Sequence, residues 1–277
     1  MQVIRKKTEA RLNHIAEGSR GALGFFAQDL TSGEHFALNE NLPFPQASAI
    51  KIPILMEVFK QAAEGRFQLS DARRIEKRDQ VGGTGLLAQL GDGSVQLSLH
   101  DLCVLMILVS DNTATNLLLD LVGMDNVNRT LESLGLPHTR IHRRMMDTGA
   151  AWRGAENLAT PAEAVRVMEL LFHGRFVSPG VCEDIISILK RPKSSNLKSG
   201  LPADVALAGK PGALAGVMTE WAIVYLKARP YAVAVMENYG VAEDAPAAMK
   251  EISRTLYEYF SRLARATAHG TYVEKPK

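Results

Sequence analysis

Cysteine is nearly absent: Cys103 and Cys182 are the only two in 277 residues. That argues against a disulfide-stapled scaffold, and both thiols read as reduced core residues. Long apolar runs are missing too. The longest, residues 102–109, is far below the roughly 20 residues that span a bilayer. Charge of one sign is scarce, with a formal net charge of +2, so no electrostatic partner such as nucleic acid or a membrane surface is implied. No secretory leader is visible, because Arg5, Lys6, Lys7, Glu9 and Arg11 crowd the first stretch where an apolar core would lie. As written, the chain reads as cytoplasmic, or as periplasmic or secreted if a signal has been removed. What is present is a 46% hydrophobic, 22% charged composition, enough to bury a core across one large domain or two lobes.

Periodicity organises the chain. Apolar spacing predicts helices over 2–18, 48–65, 99–109, 114–122, 127–134, 162–172, 181–189 and 246–263, each with three-to-four-residue repeats. Period-two and β-branched runs predict a hairpin over 22–30 and 34–38, and strands at 205–208, 221–226 and 232–236. Strands at both ends around a helical middle point to an α/β (α+β) fold: an antiparallel sheet flanked by helices, with an all-helical lobe inserted. The expected lobes are 1–45 plus 195–277 and 46–194, within one domain, and the tail after Ala268 reads as loose. The connection over 137–160 is long and aperiodic, which in compact domains usually signals function or disorder.

Three short motifs carry the chemistry: Ser48-Ala-Ile-Lys51, Ser110-Asp111-Asn112 and Lys210-Pro211-Gly212. A serine hydroxyl is a weak nucleophile and needs a base in reach. Lysine one helical turn away supplies one, provided burial or a neighbouring cation such as Lys210 lets its amine be neutral. Asn112 would orient Lys51 and an amide-bearing substrate, and Ser110 would relay a proton to the leaving group. Taken singly, each motif also has a structural reading, as a helix cap or a turn. Their order, and their placement against two buried helices and a strand, favour the chemical one. His138 and His142 lack a metal-site spacing, so no metal is expected. Gly82-Gly83-Thr84-Gly85 lacks a phosphate-loop lysine. No Gly-x-Ser-x-Gly elbow is present, and the chemistry requires no cofactor.

The set Ser-x-x-Lys, Ser-Asp-Asn and Lys-Thr-Gly is a known signature of class A β-lactamases and penicillin-binding proteins. From residue 2 to about 265 the chain resembles the class A β-lactamase family, most closely around residues 110–119 and Thr160-Pro161. The resemblance implies an acyl-enzyme at Ser48, with Lys51, Ser110, Asn112 and Lys210 catalytic. It implies an oxyanion hole from the backbone N–H groups of Ser48 and Ala213, substrate contacts at Gly212 and Ala213, and a site in the cleft between sheet and helical lobe. The partner is a small β-lactam, ester or amide; oligomeric state is not implied.

Three departures stand out. The family's loop glutamate, which activates the deacylating water, is replaced in the stretch Arg143-Arg144-Met145-Met146-Asp147; the nearest carboxylates, Asp147 and Glu156, are the candidate bases. Pro211 replaces a hydroxyl residue that binds the substrate carboxylate. Glu220 lies where the family often has an arginine and would repel an anion. Slow β-lactam release is expected, with an esterase or peptidase acting on a carboxylate-free substrate, or a non-turnover penicillin-binding protein, as the alternatives. Cys103 matches one half of a disulfide of some relatives, but Leu55 holds the partner's place.

Overall fold

The computed structural model describes residues 2–241, 243–267 and 269–272. The chain divides into two compact units: residues 1–44, 160–169 and 194–277 form one, and residues 45–159 and 170–193 the other.

In the first unit, α1 (Gln2–Glu17) leads into β1 (Ala22–Asp29) and β2 (His35–Leu38). The chain passes through the short β3 (Phe44–Pro45) and returns to this unit later. Strands β7 (Leu207–Leu214), β8 (Val217–Val224) and β9 (Tyr231–Asn238) then complete an antiparallel sheet ordered β2-β1-β9-β8-β7. The final helix α10 (Asp244–Arg265) buries Ala245, Ala248, Met249, Ile252, Leu256, Tyr259, Phe260 and Leu263. That three-and-four spacing makes one apolar stripe. It meets the alternate residues Phe25, Ala222, Val224, Tyr231, Val233 and Val235 of the sheet in a single core. Phe36 stands edge-on to Tyr259 at 4.8 Å. The short helix α9 (Asn196–Ser199) packs on α10.

The motif Lys210-Pro211-Gly212 lies inside β7, not at the end of a strand as its proline and glycines suggest. The reason is topological: β7 is an edge strand, where a sheet tolerates a residue without an N–H.

The second unit is built around α2 (Lys51–Ala63), in which ten residues are buried, including Ile52, Ile54, Leu55, Val58 and Phe59. Apolar surface on every side makes α2 the unit's central helix. It packs against α3 (Leu99–Leu108), α4 (Asn112–Val122), α5 (Met124–Ser133) and α8 (Pro179–Lys190). One buried carboxylate ties three of these together. Glu57 accepts from Gln61 Nε2 (2.7 Å) and Thr130 Oγ1 (2.6 Å), and Gln61 reaches on to the Val122 carbonyl (2.9 Å). A hairpin unforeseen from the sequence, β4 (Ala72–Ile75) with β5 (Val95–Ser98), stands before α3. The long connection contains α6 (Thr148–Trp152) and β6 (Leu158–Ala159) and leads to α7 (Pro161–Phe172). Cys103 and Cys182 are free and buried. Among the described residues no helix is long and apolar enough to cross a membrane. The tail expected to be loose includes residues 273–277, outside the described residues.

Candidate active site

Ser48 sits in a single 3-10 turn, Ala47–Ile50, which runs directly into α2. In such a turn residues i and i+3 eclipse one another. Ser48 and Lys51 are therefore one turn apart, and the Lys51 N–H donates to the Ser48 carbonyl. Ala47 enters the turn at φ +45, a left-handed conformation that costs an L-residue about 1–2 kcal/mol. Buried Gln46 holds the chain there: its N–H donates to the Asn157 carbonyl (2.8 Å) and its carbonyl accepts from Ala49 (3.0 Å).

The Lys51 side chain is 0% exposed. A buried ammonium needs acceptors, and it has them: Nζ donates to the Ser110 carbonyl (2.8 Å), to Ser110 Oγ (3.1 Å) and to Asn112 Oδ1 (2.9 Å). Ser110 takes this position at φ +55, a second strained backbone. Asp111 pins the strain from behind as the N-cap of α4, with Oδ1 accepting from Ala114 N (2.9 Å) and Oδ2 from Leu86 N (2.7 Å) and Leu87 N (2.9 Å). Asn112 opens α4, so its carbonyl oxygen is fixed by helix and cap together.

One turn farther on the same face, Asn116 grips the long connection by the backbone. Its Nδ2 donates to the Met145 carbonyl (3.1 Å) and its Oδ1 accepts from Met145 N (2.9 Å). Met145 is 8% exposed, whereas Met146 is 44% exposed and at φ +66. The two candidate bases are both occupied. Asp147 caps α6, with Oδ1 accepting from Ala150 N (2.8 Å). Glu156 accepts from Arg143 Nη2 at 3.0 and 3.2 Å. Asn157 closes the same neck, its Oδ1 accepting from His142 N (2.8 Å) and Arg143 N (3.0 Å).

In the other unit, Lys210 is 2% exposed and its Nζ donates to the Pro211 carbonyl (2.8 Å). Cross-strand register pairs Lys210 with Trp221, Pro211 with Glu220 and Gly212 with Thr219. Gly212 is buried and Ala213 exposed. Paired residues share a face and neighbours alternate, so Glu220 lies on the face opposite Lys210. This corrects the expectation that Glu220 repels an anionic substrate. Its carboxylate is fully buried and caps α9, accepting from Ser195 Oγ, from Asn196 N (3.0 Å) and from Leu197 N (3.1 Å). Burial pushes the Glu220 carboxyl up from its ordinary pKa, against the opposing pull of Ser195, the two N–H groups and the Lys210 charge. Thr219, not Glu220, shares the Lys210 face.

Among the described residues, no three His, Cys, Asp or Glu side chains are grouped to hold a metal ion. Residues the motifs did not flag are Asn116, which shares the Asn112 face at a four-residue spacing, and Thr84, whose hydroxyl donates to the Ser110 carbonyl (2.7 Å).

The family model for the beta-lactamase enzyme family matches residues 7–260. A β-lactamase of Streptomyces albus G is 31% identical over 217 residues, 74% of this chain and 68% of that one. An ancestral class A β-lactamase superposes with a TM-score of 0.84 at 26% identity, covering 91% of this chain and 100% of that one. A single-substitution mutant of PBP-A, solved as an acyl-enzyme complex with penicillin G, gives a TM-score of 0.83 at 26% identity over 91% of this chain and 95% of that one. With the family model matching residues 7–260 and a class A β-lactamase among the solved structures it resembles, the chain belongs to the β-lactamase enzyme family and is a class A β-lactamase-like hydrolase.

Proposed function

We propose that this protein acylates itself at Ser48 on a β-lactam amide and releases the product slowly. The observation that carries this reading is the buried Lys51 amine, its Nζ held between Ser110 and Asn112 one 3-10 turn from Ser48. In its neutral form Lys51 takes the Ser48 proton as Oγ attacks the lactam carbonyl. The C–N bond then breaks, and the proton returns through Ser110 Oγ to the leaving nitrogen. The N–H groups of Ser48 and Ala213 are the assigned oxyanion donors. Lys210, Gly212 and Ala213 are assigned to substrate by motif order.

Slow release follows from the long connection. Asp147 caps α6 and Glu156 pairs with Arg143, which supports a reading in which neither serves as an efficient water-activating base, and methionines fill the stretch where the resemblance puts a glutamate. The PBP-A mutant, an acyl-enzyme complex with penicillin G, supports an acyl-enzyme with a penicillin on this scaffold. Pro211 favours a second reading, an ester or amide donor lacking the lactam carboxylate.

The test is time-resolved intact mass with a penicillin, with Ser48→Ala in parallel and peptide mapping of the adduct. A persistent adduct on Ser48 is the expected result. An adduct that clears with product formation would show a working base elsewhere, and no adduct on the unsubstituted chain would favour the second reading.

A further inference from the structure

The run Gly82-Gly83-Thr84-Gly85, with Val81 before it, lies along the second motif and the Thr113 that follows it. Val81 N donates to Thr113 Oγ1 (3.0 Å), Asn112 Nδ2 to the Gly82 carbonyl (3.1 Å), and Asn112 N to the Thr84 carbonyl (3.0 Å). Glycine is required for the approach. A Cβ on Gly83, at φ +84, would lie 2.6 Å from Asn112 Nδ2, and one on Gly85, at φ +119, 2.6 Å from the Asp111 Cα.

The contact at the centre of this latch is the Thr84 hydroxyl, which donates to the Ser110 carbonyl at 2.7 Å. The same carbonyl accepts from Lys51 Nζ at 2.8 Å. Ser110 is held at φ +55, so its carbonyl direction is not one the backbone prefers by itself. We propose that Thr84 is a positioning residue for acylation: its hydroxyl fixes the Ser110 carbonyl, and through it the mutual placement of Lys51 Nζ and Ser110 Oγ. The inference rests on the acyl-enzyme reading above. Thr84 is exposed and makes no part of the hydrophobic core, so removing its hydroxyl leaves folding intact.

The experiment measures penicillin acylation of Ser48 by intact mass over a range of penicillin concentrations, which resolves the acylation rate constant and the affinity of the initial complex. The unsubstituted chain, Thr84→Val and Thr84→Ser are compared, with melting temperatures. Valine keeps the shape and removes the donor; it lowers the acylation rate about tenfold, as loss of one hydrogen bond does, with binding changed less than about twofold. Serine restores the rate, and all three melt together. A valine variant that acylates at the unsubstituted rate overturns the inference while leaving the acyl-enzyme reading intact. So does a serine variant that fails to recover, or a rate loss that tracks a fall in melting temperature. An unsubstituted chain that takes no penicillin overturns the acyl-enzyme reading first, and this inference with it.

Discussion

Replacing Met145 by glutamate puts the account of slow release to the test. Met145 is the residue that Asn116 holds by both backbone groups, at 2.9 and 3.1 Å. Asn116 stands one turn along α4 from Asn112, which accepts from Lys51. A side chain at 145 therefore starts from a backbone anchored to the same helix face as the acylation residues. The neighbouring Met146, at φ +66 and 44% exposed, instead lays its Sδ beside Gly83, 2.8 Å from where a Cβ on that glycine would stand. Glutamate is close to methionine in length, so a carboxylate at 145 enters a site that already accepts a side chain of that reach. A general base placed to activate water accelerates its step by about 10²–10⁴-fold. Met145→Glu therefore shortens the lifetime of the penicillin adduct on Ser48 by that range, with the acylation rate changed little. Burying the new carboxyl without full hydrogen bonding costs about 1–3 kcal/mol, read as a lower urea midpoint. The assay is decay of the adduct mass after excess penicillin is removed. Met145→Gln, which keeps the shape and removes the carboxylate, is the control and leaves the lifetime unchanged. A Met145→Glu adduct as persistent as that of the unsubstituted chain, or a Met145→Gln adduct that clears as fast as the glutamate variant, refutes the assignment of position 145.

Three further outcomes are expected. Lys51→Ala slows penicillin acylation by about 10²–10⁴-fold and also lowers stability, because the buried Ser110 and Asn112 oxygens lose a donor; full-rate labelling of this variant contradicts the role of Lys51. Gly85→Ala, at φ +119 with Asp111 in the way, destabilises by about 3 kcal/mol in urea unfolding, and an unchanged midpoint would show that the loop does not need the close approach. Asp29 is fully buried; burial pushes its carboxyl pKa up, but bonds from Thr31, Arg229 and Ser32 outweigh this and hold it below the usual value. A depressed folded pKa contributes stability that is present above the unfolded value of about 3.9 and is lost as pH falls through the folded one. Asp29→Asn thus costs about 3 kcal/mol at pH 7, and the difference from the unsubstituted chain narrows below pH 4; equal loss at pH 7 and pH 3 refutes the linkage.

Much of the scaffold is legible in the sequence because its periodicity is strong. The spacing of Ala248, Ile252, Leu256, Tyr259 and Phe260 announces α10, and the β-branched runs of β8 and β9 announce buried strands. The hairpin β4 with β5 is not legible, since Ala72, Arg73 and Arg74 are exposed and carry no apolar signal. The extent of β7 is hidden by Gly209, Pro211 and Gly212, turn formers that only an edge position permits in a strand. At the site, motif order picks out Ser48, Lys51, Ser110 and Asn112, and the structure brings Lys51, Ser110 and Asn112 into one hydrogen-bonded group. The contacts of Thr84 and Asn116 are invisible in sequence because their partners lie 26 and 29 residues away, a separation that no local pattern encodes. Glu220 shows the reverse error: position along the chain suggests a substrate-facing charge, while strand parity, once the register is known, turns it to the other face.

That correction changes the weight of the substrate argument. By sequence the three departures share a direction, two of them at the carboxylate end of the substrate. With Glu220 committed to capping α9, its charge is matched to Ser195 and two backbone N–H groups on the α10 side of the sheet. It therefore gives no reason to exclude an anionic ligand from the Lys210 face. Pro211 remains as a lost hydroxyl, a deletion of one attractive contact and not an introduced repulsion. Losing one hydrogen bond to a charged group weakens binding by about 1.5–3 kcal/mol, which raises the concentration needed for acylation without touching the rate of the chemical step. On the proposed reading the loop departure acts on the other side of the acyl-enzyme, where a missing base costs time and not affinity. Weaker capture and slower release are then separate expectations, one resting on Pro211 and the other on Met145. A substrate titration and an adduct-decay experiment read them independently.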